Sequence, residues 1–295
     1  MSNPYNPKIK DVPAAFDNVD KNGHLHEFHG EPWVPDMVES HVQGIARYGD
    51  YYYLTHNNKG YSKGFLLVLD NTTQKMILKL DTPKENYNHP GGIQVIGDYL
   101  AVSLENSDHN SSFVLFYSLK DPRNPELMSL EIARSDKGCG TVGITNFTRH
   151  GTEYYLVAAY DNGKTDFYES NGQPLADAGL QFTKVSSCDF KNTGFAEMCL
   201  VTQQDNKVYC IGFWVDGTIV FDDYCTLLLY DRDQHSVDKL KERHMYTTHG
   251  GVKGLAGVHF RYGSGLRITS DTSMDFYATQ RNFVAGLFYL NKFKP

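Results

Sequence analysis

Paired cysteines, basic clusters and long apolar runs are all missing from this chain, and each gap removes a class of function. The cysteines (Cys139, Cys188, Cys199, Cys210, Cys225) are odd in number and form no CxxC pair. They point to neither a disulfide framework nor a thiolate zinc site. Three of them lie inside apolar runs, where a thiol behaves as a small hydrophobe. No stretch approaches the roughly 18 apolar residues of a membrane-spanning helix. The opening Met1-Ser2-Asn3-Pro4 lacks the basic-then-apolar order of a secretory leader. The expectation is a cytoplasmic chain with reduced thiols and no membrane partner, the alternative being a secreted chain whose leader has been removed. A formal net charge of -7 with no Lys/Arg cluster to offset it argues against a nucleic-acid partner, because phosphate binding needs a basic stripe. There is no Walker loop, and the strings GxSxG at Gly60 to Gly64 and GxGxxG at Gly138 to Gly143 each run on into a strand-like stretch without the following helix that a nucleophile elbow or a dinucleotide site needs, so those chemistries have no foothold. Gly138-Cys139-Gly140 is not followed by a helical pattern, which makes Cys139 a poor nucleophile.

What is present is one phrase written several times. His89-Pro90-Gly91-Gly92-Ile93-Gln94 runs into a turn at Gly97-Asp98 and returns as Tyr99 to Leu104, ending on Glu105-Asn106. The same strand, tight turn and strand closed by polar residues begins at His41, ending on His56-Asn57, and at Val142, ending on Asp161-Asn162. More divergent copies start near Phe195, ending on Asp216, and near Gly257, ending on Arg281-Asn282. Each is followed by one or two further alternating or apolar strand-like runs, as expected of buried and half-buried strands. The unit recurs every 48 to 65 residues or so, roughly the span of a four-stranded meander that cannot bury its faces alone.

These observations predict an all-β, five-bladed β-propeller over residues 24–295, with blades at about 41–86, 87–136, 137–190, 191–250 and 251–295. Residues 1–23 are expected to form an arm. The last unit is one strand short, and a lone alternating strand, His24 to His29, precedes the first. Pairing the two closes the ring and protects the edges. Glu31 to Pro35 breaks that strand. Six blades is the alternative if the arm holds more strand. Gly44, Gly92, Gly143, Ala196 and Gly257 fall at equivalent positions, small enough for innermost strands to converge on an axis. The repeated meander with late closure resembles β-propellers in general. Five-bladed members include furanosidase-type glycoside hydrolases, calcium-using nucleotidases and tachylectin-like sugar binders. The Asp-Pro usual near the first inner strand of such glycosidases is absent, and His41-Val42-Gln43 stands there instead. Fold therefore lends only analogy to function.

In such a ring the starts of the first strands and the ends of the second strands crowd one mouth of the channel. Asn at these ends reads first as turn chemistry. The residues beside them differ from copy to copy, which favours one asymmetric site over repeated equal ones. Glu105 and Asp161 are the expected acid and base, dividing the roles if their environments separate their pKa values. Gln43, His56, Trp214, Asp216, His259 and Arg281 are expected to bind substrate, with Arg281 suited to an anionic group. His41 and His89, together with a carboxylate, are candidate ligands for a divalent metal, the one cofactor the residue set suggests. His24, His26 and His29 alternate on one strand, as an ordinary solvent edge does. The expected activity is that of a hydrolase or lyase acting on a small polar, carbohydrate-like ligand, by acid-base or metal-assisted chemistry. The alternative is a non-catalytic propeller that binds a glycan or a protein.

Overall fold

The computed structural model describes residues 8–30, 40–58, 62–190, 193–217, 221–248, 257–284 and 286–295. The predicted break from Glu31 to Pro35 lies outside them. The first four-stranded meander is β2 (His41–Tyr48), β3 (Tyr51–Asn57), β4 (Gly64–Asp70) and β5 (Lys75–Asp81). The second is β6 (His89–Ile96), β7 (Tyr99–Glu105), β8 (Ser112–Ser118) and β9 (Glu126–Arg134). The third is β10 (Thr141–Arg149), β11 (Thr152–Asp161), β12 (Lys164–Ser170) and β13 (Phe182–Asp189). The fourth is β14 (Glu197–Thr202), β15 (Val208–Asp216), β16 (Asp222–Asp231) and β17 (Ser236–Met245). The last contains β18 (Val258–Ser270), β19 (Ser273–Gln280) and β20 (Leu287–Phe293), and is completed by β1 (His24–His29).

The predicted closure is present. β1 pairs antiparallel with β20 along its whole length, from His24 opposite Lys292 to His29 opposite Leu287. A single parallel pair, His29 with Lys75, links this blade to the outer strand of the first. That pair makes eight strands run as one sheet, while the other three meanders stand as separate four-stranded sheets. The innermost strands touch in sequence around the ring: β2 with β6, β6 with β10, β10 with β14, β14 with β18, and β18 with β2.

Burial follows distance from the axis. β3 and β4 are buried over almost their whole length, whereas β5, β9, β13 and β17 are largely exposed on alternate residues. Because side chains alternate across a strand, Tyr52 and Leu54 enter the core shared with the last blade, and Tyr53 enters the core shared with the second. Each hydrophobic cluster unites two consecutive blades, and together they cover every junction of the ring. The core is therefore a ring of wedges between sheets.

The arm gains an element here, and one close-approach position is corrected. The arm holds a helix, α1 (Val12–Asn18), capped by Asp11, whose Oδ1 accepts from Ala14 N at 3.0 Å. Val12 and Phe16 seat it in the core between the fourth and last blades, and Arg243 donates to the carbonyls of Phe16 and Val19. The proline-rich composition masked a helix of two turns whose Pro13 falls in the tolerated first turn. In the last blade, Gly257 precedes the strand, and Gly265 makes the close approach instead: a Cβ there would lie 2.1 Å from the Ile45 carbonyl oxygen. The irregular pairing between His259 and Ser264 displaces the repeat and hides this shift from the sequence. Gly44 behaves as expected, since a Cβ on it would lie 2.8 Å from Gly92 Cα.

Candidate active site at the channel mouth

The pairing register brings the start of each first strand and the end of each second strand to one end of the ring. His41 pairs with Asn57, His89 with Glu105, Thr141 with Tyr160, Glu197 with Phe213, and Val258 with Gln280. Two irregularities re-aim side chains there. Register slips between Val42 and Gly44, which leaves Gln43 as an extra residue, and bulges of this kind redirect a side chain. The slip between Pro90 and Ile93 frees Gly91 and Gly92, and Gly92 N donates to the Gly140 carbonyl at 2.9 Å.

Gln43 Nε2 lies 2.6 Å from His89 Nε2 and 3.2 Å from Asn57 Oδ1. A donating amide there makes His89 Nε2 the acceptor, so its proton resides on Nδ1, which meets Glu105 Oε1 at 2.7 Å. His109, from the turn after β7, brings its own Nδ1 to the same oxygen at 2.5 Å. The other carboxylate oxygen, Oε2, accepts from Cys139 N at 2.8 Å. Burial pushes the Glu105 carboxyl up, but the hydrogen bond and charge of His89, aided by His109, outweigh it and hold Glu105 below the ordinary carboxylate range. Asp161 moves the other way: its burial and the nearby Glu105 charge raise it. Gly138 makes this proximity feasible, since a Cβ there would lie 2.6 Å from Glu105 Oε2 and 3.2 Å from Asp161 Oδ2.

A cavity of about 480 Å³ opens beside this group, lined by Gln43, His89, Asp161, Asn162, Tyr160 and Phe195 together with Gly140, Thr193, Gly194 and Ala196. Aromatic walls with a few convergent polar groups are the usual make-up of a small-molecule site. Asn162, at φ 48°, is the left-handed turn residue expected of it, and it donates to Asp161 Oδ1 at 2.8 Å.

The remaining expected residues fall elsewhere. His56 is fully buried and hydrogen-bonds Asn282, and burial lowers its pKa to about 4. Arg281 donates from Nε to the Ser40 carbonyl at 3.2 Å and lies 6.0 Å from the centre of the Tyr262 ring. The His41 ring also faces Tyr262, with centroids 6.5 Å apart. His259 Nδ1 meets Asp223 Oδ2 at 2.8 Å. Trp214 stacks on Tyr224 at 4.6 Å and donates to Thr226 Oγ1 at 3.1 Å. Asp216 is exposed and accepts from Gly217 N at 2.8 Å, as a turn residue does. The Cys139 thiol is buried and pushed up to about 12, as suits a structural cysteine.

Among the described residues, one group of histidine, cysteine and acidic side chains brings its donor atoms within 4.8 Å of one another: His89, Glu105 and His109. His41, paired with His89 in the sequence reading, is replaced there by His109. The signal was present, because Asn106-Ser107-Asp108 is turn-forming and folds a histidine four residues on against the glutamate that ends β7. Glu197 was also missed. It is fully buried at the axis and accepts from Thr141 Oγ1, from Met198 N at 3.1 Å and from Ile93 N at 3.3 Å. A charged residue opening an apolar inner strand was its mark.

No protein-family model matches the chain, and no curated protein matches it. Among solved structures it is similar to the Dos1 propeller (TM-score 0.38, 10% identity, covering 86% of this chain and 67% of that one). It is also similar to an exo-β-1,3-galactanase from Clostridium thermocellum (0.45, 12%, covering 89% and 61%). A third is fructan 1-exohydrolase IIa from Cichorium intybus (0.46, 11%, covering 100% and 58%). The chain thus spans about three fifths of the length of the latter two.

Proposed function

We propose that the chain is an enzyme, a hydrolase or lyase, acting on a small polar, carbohydrate-like molecule held in the mouth cavity. The observation that carries this reading is that Asp161 lines the cavity while Glu105 stands behind it, the two carboxylates meeting across Gly138. Two carboxyl groups in unequal surroundings are the means by which one site separates proton transfer from charge stabilisation. Asp161 is the proton-transfer residue. Glu105, with both oxygens engaged, is the fixed negative charge that favours the protonated form of Asp161 and orients His89. Gln43 and Asn162 supply amide contacts for hydroxyl groups, and Tyr160 and Phe195 supply apolar faces.

The test is a panel of glycosides and oligosaccharides assayed for cleavage, with equilibrium binding measured in parallel. Asp161→Asn is expected to cut kcat by about 10²- to 10⁴-fold, the usual reach of a positioned acid or base, while ligand affinity is retained. If no panel member is cleaved and the ligand that binds maps to the blade rim, the chain is a binding propeller and the enzymatic reading is lost.

A further inference from the structure

We infer that His89, Glu105 and His109 form a mononuclear site for a divalent transition metal of the zinc class, set in the wall of the mouth cavity. The site stands on its own geometry, whether or not the cavity turns a substrate over. Two imidazole nitrogens and one carboxylate oxygen are a donor set that zinc-type ions accept, whereas magnesium and calcium take oxygen shells. Both Nδ1 atoms already converge on one atom, Glu105 Oε1, at 2.7 and 2.5 Å, with the rings edge to face at 4.9 Å. Donors around a tetrahedral zinc stand about 3.3 Å apart, given metal–ligand bonds of about 2.0 to 2.1 Å, so each histidine–carboxylate separation has to open by less than ~1 Å. His109 can make that movement, because its side chain is 42% exposed on a turn while Glu105 is 3% exposed.

The surroundings suit an ion as well. The Cys139 N–H holds Glu105 Oε2, which leaves Oε1 as the single coordinating oxygen and supplies the outer hydrogen bond that ligating carboxylates normally carry. A metal on His89 Nδ1 requires the proton on Nε2, and the Gln43 amide beside it accepts that proton's hydrogen bond once its carbonyl turns inward. Three protein donors leave a further position vacant, as in zinc sites that bind an exogenous ligand.

The test uses the full chain, stripped with chelator and titrated calorimetrically with zinc, with cobalt(II) absorption as the spectroscopic signature. One equivalent is expected to bind, and cobalt is expected to give the visible bands of low-coordinate N/O ligation. His109→Asn, tolerated at a residue with φ 55°, and Glu105→Gln are each expected to weaken binding at least about tenfold. His41→Ala is expected to leave affinity unchanged. Should His109→Asn misfold by circular dichroism, His109→Gln serves in its place. Absence of a stoichiometric site, or equal affinity in folded His109 variants, overturns the inference and leaves a metal-free His–Glu–His clasp. Zinc binding upholds the metal site whether or not any substrate is turned over, and turnover by a chain that binds no zinc overturns the metal site while upholding the enzymatic reading.

Discussion

Acid should loosen this ring through His56. Its imidazole is fully buried and tied to Asn282, which in turn donates to the Ser40 carbonyl at 2.7 Å, so the group joins the first blade to the last. Burial lowers its pKa from 6.5 to about 4. The folded value lies below the unfolded one, so the unfolded chain takes up the proton first. The stabilisation is fully present above about pH 6.5 and is lost as pH falls towards about 4. Integrating that difference gives a loss of about 2 kcal/mol between pH 7 and pH 5, and about 3 kcal/mol by pH 4. Urea unfolding of the wild type and of His56→Gln, which cannot titrate, isolates this contribution from that of the carboxylates. The wild type should lose about 2 kcal/mol more than the variant between pH 7 and pH 5. Parallel pH profiles for the two proteins would refute the argument.

Two further stability predictions follow from the axis and the seam. Burial without a cation among the causes of its shift raises Glu197 well above the usual carboxylate range. Its folded-state pKa exceeds the unfolded one, so it opposes folding as pH rises above the unfolded value. Glu197→Gln should therefore be neutral or stabilising in urea at pH 7, and a loss above about 1 kcal/mol would count against a neutral buried acid. Phe28, 1% exposed and edge to face with Tyr52 at 5.6 Å, pins β1 into the last junction. Phe28→Ala should cost about 3 to 5 kcal/mol, read as a lowered denaturation midpoint, and an unchanged midpoint would deny the seam any weight.

Much of the ring was legible because its signals are local and repeated. Gly97-Asp98 and Tyr48-Gly49-Asp50 mark tight turns, and the left-handed φ values of Gly49 and Gly97, 58° and 54°, are what those positions demand. The late closure followed from the unpaired strand at His24. Legibility failed where a repeat was distorted or where a partner arrived from a loop. The long irregular β18 moved the close approach from Gly257 to Gly265. The outer strand of the third blade, Phe182 to Asp189, lies on an exposed edge and carries little apolar pattern to mark it. At the mouth, His89, Glu105, Asp161 and Gln43 were read as neighbours from strand ends alone. His56 shared their place in the repeat, yet its side chain turned into the junction, a choice that strand position leaves open.

The last blade is assembled from segments far apart in sequence: β1 is synthesised before the other strands described, and its partner β20 after them. The intervening sheets can form one after another from contiguous segments, but this one must wait until β20 has been made. Pairings that distant in sequence are slow to form, and the unmatched edge of β1 stays open to strangers meanwhile. Misassembly, including exchange of that strand between two molecules, should therefore concentrate at a single seam rather than around the whole circle.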